Sequence, residues 1–226
     1  KNRTLTPFCN IVYATILFAD ISGFTRLSSH INVESLKKHI NLFFTTLLGV
    51  VKDFNGDVIK FCGDAVMIMW PVESTASNSV KAATAYLAAS CAIRLISDCG
   101  TYTRQEKGYK VLLRLHCGIG SGLVHCMCLG EGDRWEFLIA GDPLRQVGVA
   151  ESEAGIGEVC MSEESYTLVA DKFEATEMPE GSRNLVLSKP IKKPKNNAVN
   201  DPINSIPERL QVPLESDLLN KLTFEQ

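Results

Sequence analysis

Two aspartates in this chain stand where a carboxylate is expensive. Asp20 ends the apolar run Ile16-Leu17-Phe18-Ala19 in "ILFADISGFTRLSS", and Asp64 lies between Phe61-Cys62 and Ala65-Val66-Met67 in "IKFCGDAVMIMW". A carboxylate among apolar groups costs free energy unless a cation or a hydrogen-bond donor compensates it. After Asp20 the chain turns through Ser22-Gly23 into what reads as a helix start. The free backbone N–H groups of such a turn favour phosphate, and Gly23, with no Cβ, lets a ligand approach the backbone closely. Two strand-end carboxylates beside a phosphate-binding turn suit a magnesium ion on a nucleoside triphosphate. Mg²⁺ takes one or two protein carboxylates and completes its shell with water and phosphate oxygens. Two such ions, about 3.5–4 Å apart, stabilise both the attacking and the leaving oxygen of an in-line displacement. Either aspartate alone has a structural reading, Asp20 as a helix cap and Asp64 as a hairpin-turn residue. The pair on adjacent strands of one sheet is what points to metal.

The elements that must hold this pair are legible in outline. Residues 11–19 are apolar and β-branched and read as a buried strand. Val33, Leu36, Ile40, Phe43, Leu47 and Val51 recur at helical spacing, which predicts a long amphipathic helix over residues 33–53. Asn55-Gly56 signals a tight turn between strand-like runs. Val58 to Phe61 and Ala65 to Trp70 then form a hairpin around Cys62-Gly63-Asp64. The Ala-rich stretch Asn78 to Ser97 is a second helix, suited to close packing on a sheet. Val111 to Ile119 reads as a strand with Leu123 to Leu129 as its partner across a turn, and Gly118, Gly120 and Gly122 mark close backbone approaches. Phe137 to Ala140 is a short strand, followed by a helix to Ala150 with Asp142 as cap and Pro143 at its first position. Gly157 to Met161 is a strand, and Ser162-Glu163-Glu164 opens a short helix. This order predicts an α+β fold, a ferredoxin-like βαββαβ arrangement whose mostly antiparallel sheet carries its helices on one face. The domain spans residues 1–188. Residues 189–226 hold a Pro-, Lys- and Asn-rich linker leading into a truncated helix.

Bulk properties exclude several classes. The chain has 226 residues, 45% hydrophobic and 22% charged, as soluble globular domains do. Its apolar runs, such as Val66 to Trp70, fall far short of the roughly 18 residues of a membrane span. A net charge of −3 argues against a general nucleic-acid binder. The first residue is not Met and no charged-then-apolar leader follows, as in an excised or processed segment. Six of the eight cysteines, among them Cys91, Cys117 and Cys160, sit in apolar stretches as small core hydrophobes. Reduced thiols imply a cytoplasmic setting. Zinc is an alternative for His116-Cys117 and His125-Cys126-Met127-Cys128, although no CxxC pair occurs.

The strings "FADISGFTRLS", "GDVIKFCGDAVMIMW", "LHCGIGSGLVHCMCLG", "FLIAGDPLRQVGVAE" and "GEVCMSEESY", in this order over about residues 12–170, resemble the catalytic domain of class III nucleotidyl cyclases. They look most like the N-terminal, metal-bearing domain of soluble, bicarbonate-responsive adenylyl cyclases. The resemblance implies conversion of ATP to 3′,5′-cyclic AMP and pyrophosphate at the interface with a second cyclase domain, with two Mg²⁺ ions for which Mn²⁺ substitutes. It makes Asp20 and Asp64 the metal carboxylates and the Ile21 carbonyl a further metal ligand. Ser22, Gly23, Phe24 and Thr25 would hold the terminal phosphates, and His116 stands where the family has a triphosphate-touching Lys or Arg.

The positions that complete a partner's site depart from the pattern. The base-reading pair maps to Lys60 and Leu138, and the transition-state Asn and Arg map to Arg145 and Val149. Leu138 cannot hydrogen-bond a purine edge and Val149 carries no charge. The domain alone is therefore expected to be inactive or nearly so, with the complementary domain C-terminal in the full-length chain. A second, regulatory pocket would include Lys60, Leu138, Ile139, Arg145 and Gly148. Bicarbonate is its candidate ligand, with Gly148 at the family's Arg position and Arg145 three residues earlier on the same helical face. Two alternatives stay open at this stage: a catalytically dead cyclase-homology domain serving regulation or dimerisation, and one half of a guanylyl cyclase.

Overall fold

The computed structural model describes residues 7–106, 108–178 and 181–190. In chain order the elements are β1 (Phe8–Ser22), α1 (Phe24–Ser28), α2 (Val33–Asp53), β2 (Asp57–Cys62), β3 (Ala65–Glu73), α3 (Asn78–Cys99), β4 (Thr101–Glu106), β5 (Tyr109–Glu131), β6 (Arg134–Ala140), α4 (Asp142–Glu153), β7 (Val159–Met161), α5 (Glu163–Thr167), β8 (Phe173–Glu177) and β9 (Leu185–Pro190). The strands form one sheet in the order β2-β3-β1-β5-β7-β9-β8, with β4 and β6 paired to the two ends of the long β5. All pairings are antiparallel except β5 with β7. The α+β architecture with a mostly antiparallel sheet is as the sequence predicts.

The central strand β1 is buried on both faces, and its alternation divides the core in two. Leu17, Ala19 and Ile21 face one cluster with Phe43, Leu47 and Val51 of α2 and the alanines of α3. Val12, Ala14 and Ile16 face a second cluster with Val147 of α4. The expectation of helices on one face therefore holds for α2 and α3, whereas α4 lies on the opposite face. The helices begin where capping side chains allow. Asn32 accepts from the Ser35 N–H at 2.8 Å at the start of α2, and Ser162 caps α5 by accepting from the Ser165 N–H. Helix α3 has a length and hydropathy compatible with a membrane span. Its Ala85, Ala88, Ala92 and Leu95 are fully buried against the sheet, which makes it a core helix.

Three local expectations need correction. Val111–Ile119 and Leu123–Leu129 are not two strands of a hairpin but parts of the single strand β5. Gly118, Gly120 and Gly122 are there for α4: a Cβ at Gly118 would lie 2.5 Å from the Glu151 nitrogen, and one at Gly120 would lie 2.7 Å from the Pro143 oxygen. Asn55-Gly56 joins α2 to β2 rather than two strands, with Asn55 in the left-handed region at φ 54°. Asp142 is not the cap of α4. That position is Gly141, and the Asp142 carboxylate accepts instead from Arg145 and Gln146. The domain boundary expected at residue 188 falls inside β9, and the proposed linker and final helix from residue 191 onward lie outside the described residues.

Candidate functional site

The site forms where β1 ends and β3 begins, beside the stretch of β5 around His116. Register pairs Ala19 with Val66, so Asp20 lies one step from the Gly63-Asp64 bend that joins β2 to β3. On the other side Asp20 pairs with His116 and Ser22 with Arg114. Gly63 takes φ 69° to make that bend, the left-handed conformation open to glycine.

Asp20 is half-buried, with 26% of its side chain exposed and Oδ2 3.7 Å from His116 Nε2. Its pKa is raised, chiefly by burial; the charges of Asp64 and Glu151 raise it further, while His116 and the Ile21 N–H oppose the shift. Asp64 contributes to that shift less than burial and His116 do. Asp64 itself is partly buried at the hairpin bend. Ile21 is fully buried in the α2/α3 cluster, which anchors the backbone that carries Asp20 and Ser22.

The turn expected to hold phosphate is built by close approach of two backbones. Gly23 has φ 99°, and a Cβ there would lie 2.6 Å from the Leu112 oxygen, so no other residue fits without movement. The Ser22 hydroxyl donates to the Arg114 carbonyl at 3.4 Å. Phe24 and Thr25 open the five-residue helix α1.

His116 is not aimed at open solvent. Its Nε2 lies 2.9 Å from Glu151 Oε1, and its Nδ1 is buried with no partner among the described residues. Asp20, His116 and Glu151 place one ligand atom each within 4.8 Å of one another, the one such group among the described residues. The sequence reading missed Glu151. Its only sequence signal is a position four residues after Val147, on the side of α4 that meets β5. The zinc alternative through the cysteines gains no support: Cys117, Cys126 and Cys128 are buried, and burial pushes the Cys126 thiol up to about 11.

The residues assigned to the second pocket are distributed differently from the expectation. Lys60 is exposed on the edge strand β2, beside a register shift after Val58. Leu138 is 41% exposed on β6, and Ile139 packs against the Val12–Ile16 cluster. Arg145 does not reach toward Gly148. Its guanidinium makes a two-pronged bond to Asp142, at 2.7 and 3.2 Å. Gly148 is exposed with open space where a Cβ would stand.

A mostly antiparallel sheet with Asp20 at the end of its central strand and a glycine turn after it is the arrangement of a class III cyclase type of domain. The family model of the adenylate and guanylate cyclase catalytic domain matches residues 10–185, and the chain belongs to this family. It is 26% identical over 170 residues to adenylate cyclase type 10 of Oryctolagus cuniculus and 25% identical to that of Homo sapiens, in each case over 72% of this chain. The chain spans about a tenth of the length of these relatives. The fold is shared with the guanylyl cyclase domain of the RhoGC fusion protein from Blastocladiella emersonii, with a TM-score of 0.67 and 19% identity over 81% of this chain and 98% of that one. It is also shared with the adenylyl cyclase CyaB from P. aeruginosa, with a TM-score of 0.63 and 22% identity over 84% of this chain and all of that one.

Proposed function

We propose that this domain is the metal- and triphosphate-binding half of an adenylyl cyclase that converts ATP to 3′,5′-cyclic AMP and pyrophosphate with a second cyclase domain. The observation that carries the reading is the strand register, which sets Asp20 at the end of β1 one step from the Gly63-Asp64 bend between β2 and β3. Two carboxylates, Asp20 and Glu151, stand beside the His116 imidazole, and that donor set fits a divalent cation. Asp20, Asp64 and the Ile21 carbonyl would hold two Mg²⁺ ions, or Mn²⁺ in their place. When bound, these supply charge neutralisation at the attacking and leaving oxygens.

The chain's own residues then bind and orient. The Ser22–Thr25 backbone takes the terminal phosphates, and Gly23 keeps the turn tight against Leu112. In the reaction the ribose 3′-hydroxyl oxygen bonds to the α-phosphorus and gives its proton to solvent, the bond from that phosphorus to the bridging oxygen breaks, and pyrophosphate leaves with the electron pair. Chemistry of this kind depends on positioning and charge more than on covalent participation by the protein.

The partner half must provide base recognition and the transition-state cation. Here Val149 is apolar and 41% exposed, and Arg145 is held by Asp142. Phe61, Leu123, Leu138 and Val149 are large apolar side chains each more than 40% exposed, which suits burial against a second domain. Lys60 remains the one cation of the expected bicarbonate pocket. Replacing it with Ala in a two-domain enzyme should abolish bicarbonate activation, and equal activation in both forms removes that role. The relatives named adenylate cyclase type 10 support ATP as substrate, and the eight free cysteines suit a cytoplasmic location.

The test has two arms. The purified chain should bind ATP only with Mg²⁺ or Mn²⁺ present and should turn it over negligibly. No metal-dependent ATP binding would favour the catalytically silent module, and turnover at the rate of a complete cyclase would refute the half-site reading.

A further inference from the structure

The geometry points to a polyphosphate-tail site built from Arg114, Arg26 and Lys110, which takes over the role that the family pattern gives to the position of His116. Ser22, Gly23, Arg26, Lys110, Leu112 and Arg114 line an open cavity of about 380 Å³. It contains three cations and no carboxylate, in a chain whose net charge is −3. None of the three pairs with a carboxylate among the described residues; Arg104 and Arg134 do not either, but these three face one cavity. Unpaired arginines facing one concavity create a positive potential that a polyanion offsets.

The placement relative to the carboxylates gives this cavity its direction. His116 and Arg114 are two apart on β5, as Asp20 and Ser22 are on β1, so both pairs share a sheet face. One step along the strand, about 6–7 Å, separates the carboxylate end from the cationic end. A phosphate held at Asp20 would have Arg114 within reach of its tail along this face, past the Ser22-Gly23 turn. His116 itself is engaged by Glu151 at 2.9 Å and belongs to the carboxylate end. Arg114 can bind two phosphate oxygens at once through its planar fork, with Lys110 and Arg26 as further charges on the rim. The ligand class is a polyphosphate chain of at least two phosphates, whether the tail of a nucleotide or a free inorganic chain.

This inference rests on the proposed reading of the site, and its test separates the two. The probes are Mg²⁺-tripolyphosphate, Mg²⁺-ATP and AMP, titrated by calorimetry into the 226-residue chain and into Arg114→Gln, Arg26→Gln, Lys110→Gln and, as control, Arg94→Gln. The same proteins are titrated with Mn²⁺ alone by electron paramagnetic resonance. Arg114→Gln should weaken tripolyphosphate and ATP roughly ten- to a hundredfold, the loss of a charged hydrogen bond. Arg26→Gln and Lys110→Gln should weaken both less, Arg94→Gln should match the parent, and Mn²⁺ affinity should stay the same in all. A loss for tripolyphosphate without one for ATP identifies a free polyphosphate site; equal losses identify the nucleotide tail; AMP should not respond. If Arg114→Gln binds both polyphosphates like the parent while Mn²⁺ still binds, the cavity assignment is overturned and the proposed function stands. If Mn²⁺ does not bind the parent protein, the proposed function falls with it.

Discussion

Replacing Asp20 with Asn should have opposite effects on the metal-free and the metal-bound domain. Without metal, the Asp20 carboxylate is half-buried beside Asp64 and Glu151, and its pKa stands above the ordinary 3.8. A raised carboxyl pKa means that the folded state holds the proton more tightly than the unfolded chain. Stability from this group is therefore present below pH 3.8 and lost as pH rises through the raised value. At neutral pH the metal-free Asp20→Asn domain should be at least as stable as the parent, and its stability should fall less over that acidic window. With metal the order reverses. A cation and nucleotide at a hundred times their Kd stabilise by about 2.7 kcal/mol. For a domain of this size that corresponds to roughly 5–11 °C in Tm, at about 2–4 °C per kcal/mol. Asp20→Asn should lose most of that increment. The assay is thermal unfolding of both proteins across pH, with and without Mn²⁺ and ATP. Equal ligand-induced shifts in the two proteins would refute the assignment of Asp20 as a metal carboxylate.

Other substitutions probe the elements that hold the site. Gly120→Ala puts a methyl 2.7 Å from the Pro143 carbonyl; backbone must move, and overpacking should cost about 1–3 kcal/mol, read by denaturant unfolding. Gly23→Ala meets the Leu112 oxygen at 2.6 Å with φ 99° and should weaken ATP binding while leaving Mn²⁺ affinity within about twofold, because the metal ligands lie outside the turn. Gln146→Leu removes the oxygen that accepts from the Ser121 N–H and the Ser162 hydroxyl. The Ser121 N–H then lacks this acceptor while the Ser162 hydroxyl keeps Ser165 Oγ at 2.8 Å, so the loss should be about 1–3 kcal/mol, and the Tm should fall without any change in metal affinity.

The aspartates and the turn were legible in the sequence because their chemistry is local. An apolar run that stops at a carboxylate and a glycine is a signal within ten residues, and α2 and α3 announced themselves by period and by alanine content. What stayed hidden depends on tertiary contact. The glycines of β5 look like a turn until α4 is seen pressing on them, because a close approach and a bend both require the missing Cβ. Glu151 and Arg114 carry no motif. Each matters only because register brings α4 over His116 and sets β5 beside Ser22. Strands β4, β8 and β9 were missed for a related reason: they sit at or near sheet edges, and β4 and β8 are too polar to show a strong apolar period.

The central claim is that Asp20 and Asp64 share a divalent cation carrying a triphosphate. Mn²⁺ electron paramagnetic resonance with an ATP analogue that cannot cyclise, comparing the parent chain with Asp64→Asn, addresses it most directly. A bound Mn²⁺ signal with phosphorus hyperfine coupling is expected in the parent, and its loss in Asp64→Asn. An unchanged signal in Asp64→Asn, or bound Mn²⁺ with no phosphorus coupling in the parent, would contradict it.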